Sequence, residues 1–286
     1  MRKTIIAASL AAAAAAVPNL AAAQAAAPAA AAPASPHTFT GNIGLVSDYR
    51  FRGISQTFKE PAIQGGFDYS HESGFYAGNW DSNVNSGAGF PGGSIEMDFY
   101  GGWKKTWGDW GLDLGGIYYY YPGTNATAAN FAANPKNAKT HTGKVHNSEL
   151  YVGGSWKWLS AKYYYGVSDY FSLPDTKHSS YLDVSGTYDL GDGWGIIGHV
   201  GSFKLKNWDT GARNTKANYT DYKLGVTKDI SGWVLGAAYI DTSGKGSCNV
   251  IGTLTQFYCF GDSAAGATKF KDASSGTIVF SVNKTF

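Results

Sequence analysis

The sequence has little of what helical and enzymatic proteins usually contain. Charged residues make up only 15% of the chain, and leucine and glutamate, two strong helix formers, are sparse. The net charge of +2, without a basic cluster, argues against a nucleic-acid partner. No Gly-x-Ser-x-Gly motif, phosphate-binding glycine loop or zinc motif occurs, so the sequence predicts neither cofactor nor metal. The slightly negative mean hydropathy argues against a bundle of membrane helices.

Glycine and aromatic residues are abundant instead. The chain contains 38 Gly, 19 Tyr, 15 Phe and 9 Trp. Chains that are rich in glycine and aromatics but poor in helix formers are typical of sheet proteins. We therefore expect an all-β fold with few or no helices.

The last residues of the chain alternate with a period of two. Ile278, Phe280, Val282 and Phe286 fall on one face of residues 276–286, and small polar side chains fall on the other. An aromatic final residue is typical of the C-terminal strand of bacterial outer-membrane barrels. We interpret this strand as the one that closes the barrel against the first strand, because an unpaired sheet edge is not tolerated in lipid. An edge strand of a soluble sandwich would show the same alternation.

The beginning of the chain indicates export. A short basic segment at residues 1–3, an apolar run at 5–17 and small residues at 21–23 form the pattern of a secretory signal. The apolar run is shorter than the roughly 20 residues that a spanning helix needs. We expect residues 1–23 to be a signal peptide, 24–37 an Ala/Pro-rich disordered linker, and 38–286 a single barrel domain.

Two-faced segments repeat along the whole of the expected domain. Their apolar and polar residues alternate, and they predict about twelve strands of the length that a tilted strand needs to cross a bilayer. The segments are 38–52, 62–70, 75–83, 94–106, 112–121, 147–158, 161–170, 179–190, 194–204, 218–229, 233–241 and 276–286. Short and long connections alternate strictly between them. This order predicts a transmembrane antiparallel up-and-down β-barrel with both termini in the periplasm, and a Greek-key sandwich would not produce it.

One segment at the start of the domain resembles a known family. It reads Gly41-Asn42-Ile43-Gly44-Leu45-Val46-Ser47-Asp48-Tyr49-Arg50-Phe51-Arg52-Gly53-Ile54-Ser55-Gln56. Together with its flanks, residues 38–80, it is similar to the opening of the TorF-family porins of Gram-negative bacteria. The resemblance extends less specifically to Phe286. It implies a bacterial outer-membrane barrel whose channel activity is largely inferred, and it brings no catalytic residues.

The face opposite the apolar one would line the lumen and collects ionic groups. These are Asp48, Arg50, Arg52, Asp68, Asp81, Glu96, Asp98, Asp113, Glu149, Lys162, Asp183, His199, Asp221 and Lys223. Acidic residues predominate, which predicts a wet lumen with a mild cation preference. Alternatively, these groups pair across strands and fix the register. Arg50 and Arg52 opposite Glu96 and Asp98 would form a constriction, or equally a structural pair, and the loop 122–146 would narrow the lumen further.

Cysteines and aromatics complete the candidates. Cys248 and Cys259 lie in one long loop, and in an oxidising compartment we expect them to form a disulfide that stiffens it. Tryptophans near strand ends predict an interfacial girdle. Inward tyrosines such as Tyr100, Tyr119 and Tyr164 would offer stacking faces to planar solutes. His199 has no serine partner at a recognisable spacing, so we interpret it as a lumen residue.

The pattern as a whole predicts a porin that conducts small polar solutes by passive diffusion. Its expected partners are outer-membrane lipids, lipopolysaccharide, the barrel-assembly machinery and the solutes themselves. The alternatives are a structural or adhesive barrel that acts through its loops and a barrel enzyme. Catalysis would require a base beside a nucleophile, which the sequence does not reveal, so we expect no enzymatic activity.

Overall fold

The computed structural model describes residues 35–90, 92–126, 143–208, 217–244, 248, 257–263 and 267–286. The expected signal peptide and nearly all of the expected linker lie outside these residues. Within them, regular structure consists of strands and two short 3₁₀ segments, Ser86–Ala88 and Tyr170–Ser172. No helix in this part of the chain is long and apolar enough to cross a membrane.

The strands follow the predicted segments closely. In chain order they are β1 (His37–Val46), β2 (Arg50–Phe51), β3 (Ile54–Ser55), β4 (Ala62–His71), β5 (Phe75–Asn83), β6 (Ile95–Trp107), β7 (Trp110–Tyr120), β8 (His146–Trp156), β9 (Leu159–Gly166), β10 (Ser180–Gly191), β11 (Trp194–Lys204), β12 (Tyr219–Ile230), β13 (Trp233–Thr242), β14 (Cys259–Gly261), β15 (Phe270–Asp272) and β16 (Thr277–Thr285).

The long strands form one closed antiparallel barrel. Its order is β1-β4-β5-β6-β7-β8-β9-β10-β11-β12-β13-β16, twelve strands in all, and β16 pairs with β1. Leu45 lies opposite Val282 across this closing pair, and Val46 lies opposite Ser281. The predicted barrel class, strand number and role of the last strand in closure are confirmed.

Alternation along each strand separates an apolar outside from a polar inside. Phe39, Phe67 and Leu224 point outward and are exposed over 75%, 74% and 67% of their surfaces. Their strand neighbours point inward because successive side chains of a strand face opposite sides. Glycines such as Gly66, where a Cβ would lie 2.1 Å from the Asn79 carbonyl oxygen, let the strands approach closely.

The two ends of the barrel differ. At one end the connections are the short turns 72–74, 108–109, 157–158, 192–193 and 231–232. At the other end lie the longer connections 47–61, 84–94, 121–145, 167–179, 205–218 and 243–276. The predicted alternation is therefore present, and β1 begins and β16 ends at the short-turn end.

Two predicted strands are shorter than expected. The first was expected to reach Arg52 but ends at Val46, and residues 47–61 instead enter the barrel as a lumenal loop that carries the hairpin β2–β3. The alternation of apolar and polar residues continues past Val46 because buried aromatic residues of the loop alternate with arginines that form ion pairs. The seventh segment was expected to reach Tyr170 but ends at Gly166, and Tyr170 packs inward in the following 3₁₀ turn.

Closure of the barrel is directly testable by cross-linking. In a background with Cys248 and Cys259 replaced by serine, Leu45→Cys with Val282→Cys should form a disulfide under mild oxidation, because these residues face each other across β1 and β16. Cleavage between the two positions followed by electrophoresis measures the link. The control pair Leu45→Cys with Phe280→Cys is displaced along the strand and should link poorly. Equal linking of both pairs would contradict the register.

Candidate functional site

The lumenal loop, residues 47–61, turns at a tight hairpin. Arg50 pairs with Ser55 and Phe51 with Ile54, which leaves Arg52 and Gly53 as a two-residue turn. Both turn residues have positive φ, 49° at Arg52 and 81° at Gly53. This is the pattern of a type I′ turn, which favours Asn, Asp or Gly at its first position and makes arginine an uncommon choice. Arg52 is thus held at the tip by its surroundings.

Gly53 at the same tip is required by close packing. A Cβ at this position would lie 2.6 Å from Cγ2 of Thr242 and 2.7 Å from Cβ of Asp221. Both contacts come from the barrel wall, where Asp221 lies on β12 and Thr242 ends β13. The tip is therefore pressed against the wall, and only glycine combines this approach with positive φ.

The base of the lumenal loop is organised around Asp48. Its carboxylate accepts hydrogen bonds from Arg50 Nε (2.8 Å) and from Ser55 Oγ (2.6 Å). Arg50 Nη1 also donates to the Ser275 carbonyl (2.9 Å), and Lys59 Nζ donates to Ser275 Oγ (2.5 Å). Partial burial and the neighbouring Arg50 guanidinium lower the pKa of Lys59 from its usual range. Asp48 and Arg50 thus satisfy each other within the loop.

Arg52 reaches across the lumen to the opposite wall. Its guanidinium donates two hydrogen bonds to Glu149 on β8, Nη1 to Oε1 at 3.0 Å and Nη2 to Oε2 at 2.6 Å. Both side chains are 0% exposed. This is a parallel, bidentate arrangement, which is the strongest geometry for such a pair. The predicted opposition of Arg50 and Arg52 to Glu96 and Asp98 is not formed, because each arginine has another carboxylate.

Aromatic rings surround the Arg52 guanidinium. Its Cζ lies 4.3 Å from the ring centre of Tyr181, 5.2 Å from Tyr164 and 5.9 Å from Tyr170. Phe51, the preceding loop residue, adds a fourth ring at 4.7 Å. All four lie within the range of cation–π attraction. Of the tyrosines predicted to offer stacking faces, Tyr164 lies in this cluster.

Two buried acids flank the lumenal loop on another part of the wall. Glu96 and Asp98 on β6 point inward and are 0% and 1% exposed. The side chain of Tyr49, from the loop, and that of Tyr121, beyond β7, face Glu96. These predicted pore-lining residues are therefore covered by the loop.

The lumen towards the short turns is more accessible. Lys162 Nζ pairs with Asp113 Oδ2 at 2.6 Å, and these side chains remain 16% and 18% exposed. Tyr76 donates to Asp113 (2.6 Å), and Tyr100 donates to Asp68 (2.6 Å). Asp68 and its neighbours thus line a vestibule, defined here as the lumen between the short turns and the lumenal loop.

His199 in the same half lies between two carboxylates. Its Nε2 is 2.7 Å from Asp221 Oδ2, and its Nδ1 is 3.3 Å from Asp183 Oδ2. Ser185 Oγ is 3.0 Å from Nδ1 but donates its hydroxyl proton to Asp183 at 2.5 Å. A Ser–His–Asp set is present, yet the histidine has an acid on both nitrogens and the serine points its proton at an acid. This geometry fits an ion-pair network better than a nucleophile with its base.

The predicted disulfide is formed. Cys248 and Cys259 are bonded, with their Cα atoms 5.5 Å apart. Cys259 begins β14, which pairs with β15 in the connection 243–276. The link therefore staples the last long connection. The predicted narrowing by the loop 122–146 concerns mainly residues 127–142, which lie outside the described residues.

Glu149 is among the predicted lumen acids, but its pairing with Arg52 is not predicted from the sequence. Arg52 and Glu149 are 97 residues apart in the chain, so no local spacing signals the pair. The signal that was available is Arg52-Gly53 between two apolar residues, which is compatible with a two-residue hairpin turn.

Fold and site together define a closed twelve-stranded antiparallel barrel whose first long connection lies in its lumen. Residues 30–286 match the family described as "Bacterial protein of unknown function (Gcw_chp)". The chain belongs to this family. The match includes the segment that resembles the TorF-family porins, and that resemblance stays a prediction. No curated protein matches the chain.

Several solved outer-membrane proteins have similar structures. A KdgM porin in complex with disordered oligogalacturonate has a TM-score of 0.46 at 7% identity, over 87% of this chain and 98% of that chain. OmpT of Vibrio cholerae has a TM-score of 0.39 at 12% identity, over 89% and 99%. Acinetobacter baumannii OccAB4 has a TM-score of 0.38 at 13% identity, over 87% and 62%. That this chain forms a closed barrel is shown by its own strand pairing.

The charges of Arg52 and Glu149 should be strongly coupled in the folded barrel. Because removal of one partner leaves a buried charge, a double-mutant cycle with Arg52→Gly and Glu149→Gln should give a coupling free energy of about 2–3 kcal/mol. Urea unfolding of the refolded barrel measures it. The control pair Lys157 and Asp109, which lie 3.9 Å apart and are at least half exposed, should couple by less than about 1 kcal/mol. Equal coupling in both cycles would contradict the buried ion pair.

Proposed function

We propose that the protein is an outer-membrane channel for small polar solutes, closed in this conformation by its lumenal loop. The observation that carries the proposal is the contrast between the two halves of the lumen. Inward ionic groups of the vestibule, such as Asp113 and Asp183, keep 18% and 26% of their side-chain surface exposed. At the lumenal loop, Arg52 and Glu149 keep none. An interior this rich in charge, with water reaching one half, suits a conduit better than a packed core.

The outer surface supports placement in a membrane. Exposed tryptophans cluster near the short turns, where amphipathic rings would sit at headgroup depth. Lysines cover the rings of this girdle, and their charged ends suit the same interface. The pairs are Lys105 with Trp107, Lys157 with Trp156, Lys228 with Trp194 and Lys284 with Trp233. We propose that this end faces the periplasm with both termini, and that the long connections meet lipopolysaccharide after insertion by the barrel-assembly machinery.

The mechanism is passive diffusion in two stages. Solutes would enter the vestibule freely and pass only when the lumenal loop leaves the wall. Acids at this boundary, including Glu96 and Asp98, would then favour cations over anions. The Asp48–Arg50–Ser55 hydrogen bonds are internal and can travel with the loop, whereas the bonds of Arg50 and Lys59 to Ser275 must break when it moves.

A structural or adhesive barrel is the second candidate. It is favoured by the burial of residues 48–58 of the lumenal loop and by the disulfide that staples the last long connection. We do not propose an enzyme, since the carboxylates on both sides of His199 hold it as an ion-pair partner.

Replacing residues 49–60 by a short Gly-Ser linker should open the barrel. In planar bilayers we expect rare, small conductance steps for the wild-type protein and severalfold larger, persistent steps for the variant, because twelve strands enclose space that the loop fills. Reversal potentials in asymmetric salt should show cation preference.

The matched control is Cys248→Ser with Cys259→Ser, which removes the disulfide of the connection 243–276 but keeps Ser275, the partner of the lumenal loop, and should conduct like the wild type. A loop-replaced barrel that remains folded but sealed would overturn the channel proposal and favour the structural role.

A further inference from the structure

The wall position that Arg52 fills has the composition of a binding site. Glu149 lies on β8, and Tyr164 and Tyr181 lie on β9 and β10, while Tyr170 follows β9. One carboxylate and three aromatic faces thus converge on a single cation, and none of the four side chains belongs to the lumenal loop: three lie on wall strands and one in the connection 167–179. We call these four residues the Glu149 site.

We propose that the Glu149 site binds guanidinium-bearing solutes, and that Arg52 occupies it as a tethered substitute while the barrel is closed. The inference rests on the proposed function, since it names the class of solute that the lumen recognises. It makes Arg52 an internal competitor that a solute displaces.

The geometry selects a guanidinium over other cations. Glu149 receives two parallel hydrogen bonds, which a planar fork can donate and an ammonium cannot donate in the same way. The ring of Tyr181 lies 4.3 Å from Cζ, and a flat, weakly hydrated cation stacks well against such faces. A solute that bears the same group can reproduce every contact of Arg52 with the wall.

The hold of Arg52 on the site is opposed by its own backbone. Arg52 has φ 49° at the first position of the hairpin turn, where a side chain larger than Asn is disfavoured. A free solute carries no such cost. Sparsely populated backbone conformations of this kind cluster at switches and binding sites.

The site also borders the vestibule. The Tyr164 ring is 5.2 Å from Arg52 Cζ and 6.0 Å from Lys162 Nζ, and it packs against Tyr151 at 5.5 Å. Tyr151 in turn lies at the vestibule, where its hydroxyl meets that of Tyr76. One ring thus separates the Glu149 site from the accessible half of the lumen, which gives a solute a short approach.

Arg52→Gly tests the proposal and keeps the turn, because glycine favours its positive φ, although the variant should start from a lower thermal stability since Glu149 loses its buried partner. The variant should bind methylguanidinium in detergent, seen as a concentration-dependent rise in thermal stability. In the wild type, the tethered Arg52 competes with the solute at an effective concentration on the order of millimolar. The methylguanidinium concentration that gives half of the full stabilisation should therefore be at least tenfold lower in Arg52→Gly than in the wild type. Methylammonium, of equal charge, should stabilise much less.

Two variants serve as controls. Lys59→Gly removes another cation of the lumenal loop, also at positive φ (61°), and should respond to methylguanidinium like the wild type. Arg52→Gly with Glu149→Gln should lose the response. Equal stabilisation by methylammonium, no response of Arg52→Gly, or a response that survives Glu149→Gln would overturn the proposal.

A second readout separates this proposal from the channel proposal. In planar bilayers, methylguanidinium on the vestibule side should increase the open fraction of the wild-type protein, and methylammonium should not. Stabilisation of Arg52→Gly without conductance in any variant, including the loop-replaced barrel, would overturn the channel but leave the Glu149 site standing. Conductance through the loop-replaced barrel without guanidinium binding to Arg52→Gly would overturn the Glu149 site but leave the channel proposal standing.

Discussion

A buried, bidentate ion pair between Arg52 and Glu149 holds the first long connection inside the barrel. Taking two charges out of water costs several kcal/mol per ion, and the attraction between them offsets this cost only when the geometry is excellent. Here both guanidinium Nη atoms and both carboxylate oxygens are used, and aromatic faces cover the cation. Arg52 is the loop's link to β8, whereas the base of the loop is held by hydrogen bonds of Arg50 and Lys59 to Ser275.

The barrel makes such a contact possible. Closure through β1 and β16 satisfies the backbone of every strand, so the wall is rigid and its inward side chains have fixed places. The wall strands β8 and β10 therefore hold Glu149 and Tyr181 at defined positions facing the loop. Apolar residues face outward and ionic groups face inward. The inward ionic groups offer partners to the charged side chains of a loop that enters the lumen.

Much of this architecture could be predicted from the sequence. The strands were recognisable because one face is apolar and the other polar, so a period of two runs through segments such as 194–204, whose predicted bounds coincide with β11. The disulfide was predictable because only two cysteines occur and both fall in one connection. The strand pattern is a local signal, and the disulfide prediction requires no knowledge of which strands are neighbours.

The lumenal loop was not predictable in the same way. Tyr49 and Phe51 continue the alternation of β1, so the pattern gives no sign that the chain leaves the sheet at Val46. The pairing of Arg52 with Glu149 depends on which strand lies across the barrel, and that follows only from the strand number and closure. The contacts of His199 with Ser185, Asp183 and Asp221 likewise depend on the register of three adjacent strands.

The distance between the Arg52 guanidinium and the Glu149 carboxylate in a lipid bilayer is the most direct test of closure of the lumen by the loop. Rotational-echo solid-state NMR on protein with ¹⁵N-arginine and ¹³C-glutamate side chains measures this contact, and Glu149→Gln assigns it. We expect a measurable coupling between the guanidinium nitrogens and the carboxylate carbon, whose oxygens lie 2.6 and 3.0 Å from these nitrogens, and we expect this coupling to disappear in the variant. A folded barrel without this coupling would show that the loop does not close the lumen through Arg52, and would contradict the account.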